Sequence, residues 1–216
     1  VGNGSFFTND VMPHIGYQPA IELPDDRDRK RLGLGPRAPM AAHDDPAGRA
    51  NNGVGVDADW ISFDAVVSTS ADQVAIAPGT LEQEWMDKGR RHFHYRMDRP
   101  ILNFYAFQSA RYEVRHDRWQ DVTIDVYYHP GHDYNVERMI RGAQAGLDYA
   151  SRHYGPYQFR ELRIVEFPRY ARYAQAFPGT IPFSESMGFI ARIDSDSPKD
   201  IDYPFYVSAH ETAHQW

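Results

Sequence analysis

Near the end of the chain, His210, Glu211, Thr212, Ala213 and His214 spell H-E-x-x-H, with Gln215 and Trp216 behind them. On a helix, positions i and i+4 share a face about one turn apart, so both imidazoles can reach one metal ion. Glu211 sits beside them, where a carboxylate can take a proton from water. These residue types at this spacing suit zinc-assisted hydrolysis, with His210 and His214 as ligands of Zn2+ and Glu211 as general base. A catalytic zinc normally takes three protein ligands plus water, and two histidines fall short of that number. The sequence is therefore expected to be a fragment, inactive by itself, whose parent protein supplies the remaining ligand.

The element that must position these side chains is a helix running from about Phe205. At 100° per residue, Phe205, Ala209, Thr212, Ala213, Trp216 and Tyr206 form one broad, mostly apolar arc. His210, His214, Val207 and Glu211 form another, which leaves Ser208 and Gln215 for water. An apolar stripe of that width predicts a helix buried against a core. Pro204 suits the first turn and Asp202 is a candidate cap. The plain alternative is a buried helix whose histidines make ordinary hydrogen bonds.

Hydrophobic residues are 42% of the 216 and aromatics 14%, enough for a packed core of one large or two modest domains. The net charge of −7, with basic residues massed on no single element, argues against a nucleic-acid partner. With no cysteine, disulfides and thiolate metal sites are excluded, and the redox compartment is left open. No apolar run approaches the ~18 residues of a membrane span, and no signal peptide is visible.

Two regions differ in pattern. Residues 1–118 predict a mainly antiparallel β domain. A short charged helix at 24–33 ends at Gly33, and a Gly/Pro/Ala/Asp-rich loop covers 34–59. Alternation then gives strands around Ile61–Val67, Val74–Ala77, His92–Tyr95 and Asn103–Phe107, with a turn at His116-Asp117. His92 and His94 read as one face of a strand rather than as a metal pair. Residues 119–216 predict α/β structure: a strand at Val122–Tyr128, then a helix with Val136, Met139, Ile140, Ala143, Leu147, Ala150 and Tyr154 on one face. Asp133 is its candidate cap and Gly155-Pro156 its stop. Strands at Leu162–Phe167 and Ser184–Ile193 follow, with a loop over 170–183 between them. The acidic loop Asp194, Asp196, Asp200, Asp202 lacks the glycine and terminal Glu of a calcium loop and reads as solvated. The fold class expected is α+β.

Gly155-Pro156-Tyr157-Gln158-Phe159 after a helix, Glu185 in the strand-loop ahead of His210, the H-E-x-x-H helix and Trp216 occur in that order. In this the chain resembles the aminopeptidase N family of zinc metallopeptidases, the gluzincins. That resemblance implies the end of a saddle-like β domain over Trp60–Tyr112 and the first half of a thermolysin-like catalytic domain over Val122–Trp216. It implies a peptide substrate, and a third zinc ligand and an oxyanion-stabilising Tyr beyond Trp216, in the remaining catalytic half. Ile15-Gly16-Tyr17 and Glu22-Leu23-Pro24-Asp25-Asp26 look closest to a bacterial branch joined to permease segments of ABC-type transporters. That implies a membrane-associated parent. The family's Gly-x-Met-Glu-Asn motif is replaced here by Pro182-Phe183-Ser184-Glu185-Ser186-Met187-Gly188, so Glu185 is carried over as the anchor for a substrate's amino group. The departure leaves two other readings open: a non-catalytic peptide-binding domain of a transporter-associated protein, and a zinc endopeptidase.

Overall fold

The computed structural model describes residues 4–13, 22–50, 59–194, 196–197 and 199–216. The segment Ile15-Gly16-Tyr17 and residues 51–58 of the expected loop lie outside these. No helix among the described residues is long and apolar enough to cross a membrane.

The N-terminal half is built of short antiparallel sheets. β1 (Ser5–Thr8), β8 (Ala106–Ala110) and β4 (Val74–Ile76) form one, in the order β1-β8-β4. β3 (Asp64–Ser70), β6 (Arg90–Arg96) and β5 (Thr80–Asp87) form another, and β2 (Trp60–Ile61) pairs with β7 (Ile101–Leu102). Phe63, Ala75, Ala77, Phe93, Tyr95, Ile101 and Phe107 close a core between them. β5 was not legible in the sequence. Seven of its eight residues are exposed, so it carries no apolar alternation, and it is held by its ladder to β6 through a turn at Lys88 and Gly89. Both turn residues have positive φ, which matches the twist of a tight hairpin. His92 stacks on Trp85 and His94 bonds Asp64 at 2.8 Å, so both rings serve the sheet.

Two short helices precede β2. In α1 (Asp26–Arg31) the Asp25 side chain accepts from the backbone N–H of Arg27 and Asp28, and acids in the first turn and bases in the last follow the helix dipole. α2 (Pro46–Ala50) interrupts the expected loop.

The C-terminal half holds a four-stranded sheet in the order β12-β11-β10-β9, made of β9 (Glu113–Trp119), β10 (Val122–Tyr128), β11 (Glu161–Phe167) and β12 (Thr180–Ser184). β9 is antiparallel to β10, whereas β10, β11 and β12 run parallel. Two expectations are corrected here, the turn at His116-Asp117 and the strand at 184–193. His116 and Asp117 lie within β9, because His116 pairs with Asp125 across the ladder; the turn falls at Gln120, φ 50°. A division at 118/119 would therefore cut a hairpin. The strand expected at 184–193 is instead Thr180–Ser184, buried throughout, with turns after it. Its Pro182 is tolerated because β12 is the last strand of the sheet, and the Pro182 carbonyl accepts from Gln175 N–H on the outer side.

α3 (Val136–Tyr154) covers this sheet, packing Val136, Met139, Ile140, Ala143 and Leu147 against Ile124, Val126, Leu162, Ile164, Ile181 and Phe183. It ends at Gly155, φ 108°, ahead of Pro156. Asp133 does not cap it. Asn135 holds that position, and its side-chain amide donates to the carbonyls of Gly188, Phe189 and Ala191, tying the turn after β12 to the helix start.

α4 (Tyr203–Ala213) begins as expected, with Asp202 accepting from Phe205 N–H and Pro204 in the first turn. It lies against α3 where Gly142 and Gly146 face it. A Cβ at Gly142 would run into the Phe205 carbonyl, and one at Gly146 would come within 2.9 Å of the Ala209 carbonyl and of Thr212. Ser208 and Thr212, both fully buried, fill the opposite side of that contact. The architecture is α+β with mostly antiparallel strands.

The two halves are joined by Arg163, 5% exposed, which donates to the carbonyls of Ala77 and Gly79 and lies over the Tyr95 ring. Phe6 stacks on Phe167 nearby.

Replacing Gly142 by Ala is expected to cost about 1–3 kcal/mol, because backbone of α4 must move to admit the methyl group. Urea denaturation measures it. An unchanged midpoint would show that α4 is free to shift away from α3.

Candidate functional site

α4 delivers the three motif side chains to two different environments. His210 and His214 lie on the exposed face, and Glu211 is 8% exposed. The expected burial is thus corrected for one side of the helix: Tyr206, His210, Ala213, His214 and Trp216 are exposed, and the buried side is Pro204, Val207, Ser208, Glu211 and Thr212. The small residues Ser208 and Thr212, rather than the aromatics, make the contact with α3, because only they fit the glycine-lined approach.

The two imidazoles converge. Their Nε2 atoms are 3.1 Å apart, with rings edge to face at 87°. Two nitrogen ligands at 2.0–2.1 Å from a tetrahedral zinc ion stand about 3.3 Å apart, so the pair fits such an ion with little adjustment. Among the described residues, no further His, Cys, Asp or Glu completes a group of three with this pair. Burial raises the Glu211 pKa, while His214, His210 and a backbone hydrogen bond from Ala176 pull it the other way. That Ala176 contact fixes the carboxyl group between the helix and the segment before β12.

The end of α4 is locked by Gln215, to which no role was assigned from the sequence, together with Gln158 and Trp216. Gln215, 6% exposed, accepts from Gly179 N–H at 2.9 Å and donates to the Phe177 carbonyl at 3.0 Å. Gln158 donates to the Gln215 carbonyl, and Trp216 Nε1 donates to the Gly155 carbonyl. The Gly155–Phe159 segment therefore serves as a clamp on the motif helix. Beside His214 opens a cavity of about 460 Å³, lined by Trp60, Phe104, Ala176, Phe177, Gln215 and Trp216 among others.

Glu185 is not gathered to this group. It follows the far end of β12, whereas Gly179, which meets Gln215, precedes the near end. At about 3.3 Å per residue the intervening strand spans roughly 20 Å. Glu185 Oε1 instead accepts from Arg169 N–H, and the carboxylate is grouped with His132 and Glu166. Glu185 is the expected amine anchor; its neighbours in the structure are Arg169, His132 and Glu166. His132 and Glu166 also escaped motif reading. A faint signal existed, since Glu166 interrupts the apolar run Ile164-Val165-Phe167.

No family model matches the chain, and no curated protein matches its sequence.

Replacing Gln215 by Ala leaves the Gly179 N–H and the Phe177 carbonyl buried without their partner. A loss of about 1–3 kcal/mol in chemical denaturation is expected. No loss would mean that water replaces the amide and that α4 does not depend on this lock.

Proposed function

We propose that α4 is the zinc-binding helix of a peptide-bond hydrolase resembling the aminopeptidase N family. The observation that carries this reading is the 3.1 Å convergence of His210 and His214 Nε2 on an exposed face, with Glu211 beside them and a cavity alongside. His210 and His214 would hold the ion through their Nε2 atoms. Zinc, when bound there, supplies Lewis acidity toward a peptide carbonyl and toward water. The Glu211 carboxylate takes the proton of the attacking water and returns it to the leaving amine nitrogen. Its position is fixed by Ala176 N–H, and partial burial makes it a stronger base than a solvated Glu. Phe104, Phe177 and Trp216 offer apolar walls for a substrate side chain. The pair supplies two ligands, so the set is completed by a ligand outside the described residues.

A second reading, an endopeptidase, is favoured by the placement of Glu185. That carboxylate is grouped with His132 and Glu166 rather than with the histidine pair of α4. Cleavage of N-acetylated peptides at rates matching their free-amine forms would support this reading. A strong preference for the free amine would support the exopeptidase.

Glu211→Gln in the zinc-loaded protein is expected to leave zinc content unchanged and to lower peptide hydrolysis by about 10²–10⁴-fold. His214→Ala should instead lose one zinc equivalent relative to the unaltered protein, read by elemental analysis after dialysis. Turnover retained by Glu211→Gln would remove Glu211 from the chemistry, and zinc retained at this helix by His214→Ala would remove the histidine pair.

A further inference from the structure

At the other end of the four-stranded sheet, the carboxyl ends of three parallel strands lie side by side, the place where open α/β sheets gather ligands. His129 and His132 follow β10, Glu166 is the penultimate residue of β11, and Glu185 follows β12. One ligand atom from each of His132, Glu166 and Glu185 lies within 4.8 Å of the other two. Glu166 is 0% exposed and Glu185 6%. Two carboxylates so close and so dry need a counter-charge. Arg169 is a poor one: its Nε stands 3.8 Å from Glu185 Oε1, and the side chain is 72% exposed. Glu166 is otherwise met by neutral or titratable donors, the His129 N–H and His132 Nδ1.

A fourth group points to the same place. His129 Nε2 is buried and has no hydrogen-bond partner among the described residues. Its ring meets that of His132 edge-on at 5.9 Å. A cleft of about 630 Å³ reaches His132, which lines it with Asn135, Arg138 and Ile190.

We propose that His132, Glu166 and Glu185 form a divalent-cation site separate from the helix pair, taking a first-row ion such as Zn2+ through one imidazole nitrogen and two carboxylate oxygens. The donor set suits such an ion. Binding draws the three atoms to about 3.3 Å from one another, a side-chain adjustment, and replaces the missing counter-charge. Because the ligands come from the ends of β10, β11 and β12, the ion cross-links the sheet edge and the turn held by Asn135.

The test uses the full 216-residue chain with His210→Ala and His214→Ala, stripped of metal and titrated with zinc. The helix pair is absent from this background, so the outcome does not depend on the proposed hydrolase. One zinc equivalent by calorimetry and elemental analysis, with a rise in melting temperature, is expected. Adding Glu166→Gln and Glu185→Gln should abolish both responses, with circular dichroism of the metal-free protein verifying the fold. If Glu166→Gln does not fold, Glu185→Gln alone must weaken zinc at least about tenfold. No zinc bound by the histidine double variant overturns the proposal, as does a zinc equivalent that survives loss of the carboxylates.

Discussion

The position of every motif side chain depends on how closely α4 approaches α3. Helices pack 8–10 Å apart when ordinary side chains separate them, and closer contact requires positions without Cβ atoms. Gly142 and Gly146, one turn apart on α3, meet Ser208 and Thr212, one turn apart on α4. Once that face is fixed, the rotation of α4 is fixed too. Glu211 is turned inward toward Ala176 and the histidines outward, His214 against the cavity. Helix glycines are costly relative to Ala, by roughly 1 kcal/mol each, and here the cost is offset by packing that no other residue allows.

The sheet beneath these helices has two polar ends. At the start of β12, Gly179 and Phe177 bind Gln215, and the motif helix is pinned there by side-chain amides and backbone groups. At the end of β12, buried carboxylates from two strands gather beside two histidines. Burial pushes the Glu166 pKa up to about 7, against the hydrogen bonds from His129 and His132. Arg163 shows the contrasting solution for a buried charge: two carbonyls, an ion pair with Glu161 and the Tyr95 ring surround it, so its charge is matched within the fold.

Much of the scaffold was legible from periodicity. The apolar positions of α3 recur at three and four residues, and all but Tyr154 point into the core. β10 and β11 were marked by runs of Val, Ile, Leu and Phe that the structure buries. Failures occurred where a neighbour, rather than the segment itself, decides the conformation. β5 is exposed at seven of its eight residues and exists through β6. β9 passes straight through His116-Asp117, because Asp125 on β10 receives the histidine. β12 contains a proline that is acceptable only at a sheet edge.

The sequence by itself determined the local chemistry. An i, i+4 histidine pair with a carboxylate between must share a helical face, and Asp202 with Pro204 must start that helix. Those relations lie within one or two turns and follow from backbone geometry. Which residues stand beside the pair was decided only by the tertiary structure. Glu185, Glu166 and His132 are scattered along the chain, and the parallel register of three strands brings them together while carrying Glu185 away from the motif helix. Strand direction and register are set by long-range pairing and core packing, which no local pattern encodes.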